Sequence, residues 1–386
     1  MKKKNKLLIL INDLNFFCSH RLPIAEKSKK NGFDVVIGYG EPGGADLQLL
    51  EQKGFRLCYI PMKRGGLSFL KDIILFFNIW KFLKREKPDI LHLVTIKPYL
   101  YGGIASRLTS IPSVVSAISG LGTLFIHRNL KSKLFLILLS PIYYLAFNHF
   151  NQKIIVQNED DAKVLVNMGV LNPQKVELIK GSGVKLQNFT NHVEPSGIPV
   201  ICFVGRLLYD KGVYEFIHAA RLIKKKGIKA KFLLVGDLDN KNLTSLNIND
   251  LNKIKNENYV EIVGYKKNIS SLYENSNIIC LPSYREGLPK SLMEAAAASR
   301  AVVTTDVPGC RDAIIPNKTG LLVPVKNSQK LADAVQWLIE HPLERIAMGK
   351  EGRKFAKKEF DIEIIVQHHL DIYRKLNENL KHNNLQ

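Results

Sequence analysis

Short runs of apolar and β-branched residues recur along this chain, each followed by a stretch with helical spacing. Leu7–Ile11, Asp34–Gly38, Arg56–Ile60, Ile90–Val94, Ser113–Ala117 and Lys153–Val156 are continuous rather than alternating. That pattern marks strands covered on both faces in a parallel sheet. Between them Leu22–Asn31, Leu47–Lys53, Phe69–Glu86 and Leu100–Leu108 place apolar residues three and four apart, as helices do. A βα succession of this kind predicts a doubly wound α/β sheet.

The pattern breaks and restarts. Lys180 to Pro199 is rich in Gly, Asn, Ser and Pro, has no clear periodicity and reads as a linker. Beyond it come strands at Val200–Val204, Lys231–Val235, Val260–Val263, Ile278–Leu281, Ala301–Thr304 and Gly320–Val323. Helices are predicted at Val213–Lys226, Asn268–Asn275, Lys290–Ser299 and Lys330–His341. The expectation is two tandem Rossmann-like domains facing a cleft, residues 1–187 and 188–361, with ligands outside the carboxyl ends of the strands. The polar tail after Leu376 is expected to fray.

Length agrees with two domains, since 386 residues are long for one core. Apolar content of 46% and charged content of 24% exclude a disordered chain. The five cysteines are scattered without a C-x-x-C pair, so neither a zinc site nor a dithiol couple is expected. Lys2 to Lys6 lead into a short apolar stretch and a polar Asn12-Asp13, which is no signal peptide, and a cytoplasmic location is expected.

Net charge changes the picture more. The formal charge is +21, and residues 1–185 carry 27 Lys and Arg against 13 Asp and Glu. This basic first half favours an anionic partner such as a membrane surface, while a merely well-solvated basic surface is the alternative. The longest apolar run, Leu134 to Phe147, has 14 residues including Ser140 and Pro141, against the roughly 20 that a bilayer span needs. With the basic flank His127 to Lys133 upstream and Tyr143, Tyr144 and Phe147 within, it reads as an interfacial element or as a buried helix pair.

Chemistry concentrates in Pro282-Ser283-Tyr284-Arg285-Glu286-Gly287-Leu288-Pro289-Lys290-Ser291-Leu292-Met293-Glu294 and the alanines that follow. A strand ends at Leu281, and a helix begins near Pro289, a residue suited to the first helical position. The free N–H groups at such a helix start, around Lys290, Ser291 and Leu292, make an anion site for a diphosphate. Glu286 before it and Glu294 within it bracket that site, placed to accept hydrogen bonds from sugar and ribose hydroxyls. Dipole stabilisation by a single Glu is the plainer alternative. Arg206 and Lys211, on the loop after the strand that ends at Val204, supply two cations for a leaving diphosphate.

The Glu286 to Glu294 spacing, preceded by Pro-Ser, together with Gly205-Arg206-Leu207 and Lys211-Gly212 upstream, resembles the retaining glycosyltransferases of family GT4, of GT-B fold. Gly264-Tyr265, Asp306 to Arg311 and Asn317 to Pro324 are likewise similar. The resemblance implies that Arg206 and Lys211 hold the donor diphosphate, Glu294 the ribose and Glu286 the donor sugar, with Gly205, Gly287, Leu288 and Tyr265 also on the donor side. It implies too that a final helix, 362–386, packs back on the first domain.

Phe16 to Pro23, Lys97 to Gly103 and Ser119-Gly120-Leu121-Gly122 are similar to a narrower bacterial branch that extends polyprenyl-diphosphate-linked sugars for surface polysaccharides or glycans. Arg21, Lys97, Ser119 and Gly120 then fall on the acceptor side. Many GT4 members have a His where this chain has Ser119, so His20, expected on a loop after the first strand, becomes the ionisable candidate. Asp237-Leu238-Asp239 spells D-x-D, but it follows a strand of the second half and is expected to bind no metal. The expected function is metal-independent transfer of a sugar from a nucleotide diphosphate, most simply UDP, to a glycan acceptor, with no resident cofactor. Alternatives are a phosphorylase or epimerase on the same fold, or a basic membrane- or nucleic-acid-binding scaffold. No zinc finger, RNP-type aromatic motif or helix-turn-helix supports the nucleic-acid version.

Overall fold

A computed structural model of the chain describes residues 4–63, 69–122, 130–190 and 193–383. Cα packing divides it into two compact units, 1–182 with 363–386, and 183–362. The second therefore begins five residues before the boundary expected from sequence. Part of the stretch read as linker is packed into this unit: Val184 N–H donates to Phe360 O at 2.8 Å, and Phe189 is buried with its ring edge-on to Tyr273.

The first unit runs β1 (Lys6–Asp13), α1 (Leu14–His20), α2 (Leu22–Lys30), β2 (Asp34–Glu41), α3 (Leu47–Gln52), β3 (Arg56–Tyr59), α4 (Phe69–Glu86), β4 (Ile90–Val94), α5 (Gly103–Leu108), β5 (Ser113–Ala117), α6 (Leu130–Phe147), β6 (Gln152–Val156), α7 (Glu159–Asn167) and β7 (Val176–Leu178). Its strands form one parallel sheet in the order β3-β2-β1-β4-β5-β6-β7. Right-handed crossovers put α1 to α3 on one face and α4 to α7 on the other. Order reverses between β1 and β4, so their carboxyl ends open the position where such sheets bind ligands.

The second unit repeats the plan with β8 (Val200–Val204), α8 (Val213–Lys225), β9 (Lys231–Val235), α9 (Ile248–Glu257), β10 (Glu261–Gly264), α10 (Ile269–Glu274), β11 (Ile278–Leu281), α11 (Lys290–Ala297), β12 (Ala301–Thr305), β13 (Gly320–Val323), α12 (Ser328–Glu340) and α13 (Pro342–Glu359). Its sheet, β10-β9-β8-β11-β12-β13, reverses between β8 and β11. A core of Ile, Val, Leu and Phe side chains lies under each sheet, and residues such as Ile9, Leu91, Phe203 and Ile279 have no exposed surface.

Several expectations change. The segment after β1 is helical, because Asp13 caps it by accepting from Phe16 N at 3.0 Å. The apolar run is one continuous helix, α6, with Pro141 inside it, rather than a pair of helices, and it is not buried throughout. Residues 127–129 of its basic flank lie outside the described residues, as do the side chains of Lys131 and Lys133. The tail is helical through Asn383 as α14 (Ile362–Asn383). Tyr373 on α14 meets His92 of β4 with 2.6 Å between Oη and Nδ1, and Asn151 donates to Leu376 O at 3.0 Å. Amphipathic spacing in α14 buries Ile365, Val366, Ile372, Tyr373 and Leu376 on that face.

Candidate active site

The carboxyl ends of β8 and β11 bring the two chemical segments of the second unit together. After β8 the chain passes Gly205 and Arg206, makes a short turn at Tyr209–Lys211, and enters α8 through Gly212 at φ 75°. Only glycine suits this position, since a Cβ would also run into the Pro282 carbonyl. That close approach sets Lys211 against the loop after β11, where its ammonium donates to Glu286 Oε1. Ser283, fully buried, lies 2.7 Å from the same oxygen through its hydroxyl.

The Glu286 loop has a backing. Glu286 N–H donates to Pro308 O at 3.1 Å, and Gly309, at φ 79°, lies so near the Glu286 and Gly287 carbonyls that any side chain there would collide with them. The Asp306 to Arg311 motif thus backs the Glu286 loop through Pro308 and Gly309. Asp312 accepts from Gly309 N–H at 2.9 Å, and Arg311 donates to Asp306 at 2.7 Å.

Pro289 is the N-cap of α11 rather than its first helical residue, which is Lys290, and it brings no capping side chain. The helix start at Lys290, Ser291 and Leu292 therefore keeps the electropositive character that favours an anion. Glu294, one turn in, is 9% exposed. Burial raises its pKa above the ordinary carboxylate value, opposed by Lys290, whose ammonium is 3.7 Å from Oε1, and by the Tyr273 hydroxyl, which donates to Oε2 at 3.2 Å. Tyr273 has no exposed surface and is held by Arg300, whose Nε donates to its carbonyl at 2.7 Å.

Arg206 donates through Nη1 to Asp239 Oδ2 at 2.6 Å, and Asp237 accepts from Tyr265 N–H at 3.1 Å, leaving the Tyr265 ring largely exposed. Both aspartates of the D-x-D sequence are thus engaged with the protein's own groups. Asp239, Tyr273 and Ser283 had no assigned role from sequence. The first two are distant in sequence from the residues they hold, and only Ser283 stood inside the singled-out segment.

On the first unit the picture is mixed. His20 ends α1, its ring stacked on Phe16 at 4.0 Å and 11°, with Nδ1 2.7 Å from Ser19 Oγ. Arg21 departs from the expectation: it is 2% exposed, donates to His20 O at 3.2 Å, and its pKa falls to about 10 through burial. Buried beside His92, His369 and Tyr373, it is not placed on a surface that an anionic acceptor would meet. Lys97 is likewise spoken for by Asp72 at 3.0 Å, both largely buried. Ser119 and Gly120 follow β5, with Gly120 at φ 118°.

Comparison with known proteins matches the same two units. Residues 6–158 match the family model "Glycosyl transferase 4-like", and residues 184–355 match "Glycosyl transferases group 1". This chain is a glycosyltransferase built of these two family domains. It is 29% identical over 376 residues to the N,N'-diacetylbacillosaminyl-diphospho-undecaprenol alpha-1,3-N-acetylgalactosaminyltransferase of Campylobacter jejuni, covering 93% of this chain and 96% of that one. It is 25% identical over 333 residues to the UDP-Gal:alpha-D-GlcNAc-diphosphoundecaprenol alpha-1,3-galactosyltransferase of Escherichia coli, covering 82% and 83%. In fold it is similar to a glycosyltransferase from Rickettsia africae (TM-score 0.77, 19% identity, 98% and 100% covered). Anabaena HepE in complex with UDP gives a TM-score of 0.74 at 18% identity, with 96% and 100% covered. The GT-B fold expected from sequence is the fold of this glycosyltransferase. Among the described residues no helix is long and apolar enough to cross a membrane.

Proposed function

We propose that this glycosyltransferase moves a sugar from UDP to a hydroxyl of a polyprenyl-diphosphate-linked glycan with retention of configuration. The observation that carries the reading is Lys211 bonded to Glu286 at the β8/β11 switch point, beside the α11 start and Glu294. A diphosphate arriving there gives Lys211 a stronger anionic partner and frees the Glu286 carboxylate for sugar hydroxyls. The acceptor hydroxyl attacks the anomeric carbon as its bond to the diphosphate breaks, and the acceptor's proton passes to the departing diphosphate on the same face. Arg206, Lys211 and the helix start stabilise the charge that develops there. The activities of the Campylobacter and Escherichia relatives support the lipid-linked acceptor. Incubation with UDP-sugars and an undecaprenyl-diphosphate-linked N-acetylhexosamine, followed by NMR of the product anomer, tests it. Hydrolysis of donor alone, or an inverted product, overturns it.

The same reading includes peripheral attachment to an anionic membrane by the first unit. Leu70, Ile73, Ile74 and Phe77 form an exposed row on α4 at helical spacing, with exposed Lys71, Lys81 and Lys84 on the same helix. Ile137, Leu138, Tyr144 and Leu145 form a second exposed row on α6, and both helices pack beside α5. Exposed apolar rows, with lysines beside the one on α4, suit the interfacial region of a bilayer.

A further inference from the structure

Thr95 follows β4 at the reversal point of the first sheet and adopts φ 75°. Among the described residues it is the only β-branched one in the left-handed region, where its branched Cβ is strained. Its carbonyl accepts from Tyr99 N–H at 3.0 Å, but its hydroxyl oxygen is sealed from solvent without a hydrogen-bond partner among the described residues. The Ser119 hydroxyl is in the same condition. Register brings the two together: Val94 pairs with Ala117, so Thr95 lies one residue and Ser119 two residues past the last pair of neighbouring strands. The loops stay close beyond that point, since a Cβ on Gly122 would lie 3.7 Å from Ile96 Cδ1.

We infer that Thr95 and Ser119 form a paired hydroxyl subsite for the acceptor sugar, an assignment that rests on the proposed transfer to a glycan. A buried hydroxyl without a partner is unfavourable, and rotation about χ1 lets it meet a ligand. Strain concentrated at a strand's carboxyl end is a feature of ligand sites. The chemistry favours a sugar over a phosphate, because both groups are neutral and can donate and accept, as sugar hydroxyls do. The nearby cations are engaged elsewhere, Lys97 by Asp72 and Arg21 within the core.

Kinetics with UDP-sugar and undecaprenyl-diphosphate-linked N-acetylglucosamine, alongside UDP affinity and melting temperature, test the assignment. Thr95→Ala and Ser119→Ala are each expected to raise the acceptor KM about fivefold, with UDP affinity unchanged. Thr95→Ser keeps the hydroxyl and is expected to restore the acceptor KM. Thr95→Gly removes strain and hydroxyl together, so the acceptor KM rises without a lower melting temperature. Alanine variants with wild-type acceptor KM overturn the inference, as does a Thr95→Ser enzyme that behaves like Thr95→Ala. A wild-type enzyme that transfers to no lipid-linked sugar overturns the functional reading first, and this subsite with it.

Discussion

Lys211 and Glu286, 75 residues apart, are joined by a hydrogen bond at the point where the strand order of the second sheet reverses. The pair is partly buried, with 18% and 11% of the side chains exposed, so its charges are only weakly screened by water. Removing either partner has distinct consequences. Lys211→Ala is expected to weaken UDP binding by about ten- to a hundredfold, the loss of one charge-assisted hydrogen bond to a diphosphate. Glu286→Gln is expected to leave UDP affinity within severalfold of wild type and to abolish most sugar transfer. Calorimetric titration with UDP beside a transfer assay checks both, and equal effects of the two variants on UDP affinity would contradict the division of roles.

Arg206 and Asp239 provide a second test. Their 2.6 Å contact joins one aspartate of the D-x-D sequence to a cation proposed for the donor diphosphate. Transfer is therefore expected to persist in excess EDTA, and Asp239→Asn to change UDP affinity by less than about tenfold without any response to manganese. Loss of activity in EDTA with recovery in manganese would restore the metal reading.

His20 and Arg21 are adjacent in sequence but differ in surroundings, and their alanine variants are expected to diverge. His20→Ala should reduce transfer while keeping UDP affinity, because the donor residues lie in the other unit. Arg21→Ala should lower the melting temperature, since it empties a fully enclosed position beside Tyr373. An Arg21→Ala protein of unaltered stability and raised acceptor KM would return Arg21 to the acceptor side.

Stability is expected to fall below about pH 6.5. Burial, with Arg21 nearby, pulls the His369 pKa to about 3, and burial with His369 and Arg21 pulls that of His92 well below its ordinary value. Both imidazoles stay neutral in the folded chain, while the unfolded chain protonates near pH 6.5. Their contribution is complete above that pH and is lost as pH drops towards the folded value. For His369 the loss amounts to about 2 kcal/mol at pH 5. Urea midpoints at pH 7.5 and 5 check this, and His369→Leu should flatten the dependence.

Flotation with liposomes tests the two apolar rows. Binding to anionic vesicles, reversed by high salt and abolished by Ile74→Glu with Phe77→Glu, is expected, with no change in melting temperature because both side chains are exposed. Wild-type flotation of that double variant would count against α4 as the contact.

The strand runs and the Glu286 to Glu294 segment were readable from the amino-acid sequence because both depend on local rules. A strand covered on both faces must be continuously apolar, and a helix start after a strand keeps its free N–H groups wherever the unit is placed. The helix after β1 was missed although Asp13 marks its cap, because a seven-residue helix carries too little periodicity to stand out. The order of strands decided the rest. Parallel pairing in β3-β2-β1-β4 placed Thr95 at a reversal point, and the packing of α14 enclosed Arg21 with His92, His369 and Tyr373. Such neighbours lie tens to hundreds of residues away. Whether an arginine faces water or core depends on what covers it, and local sequence does not carry that information.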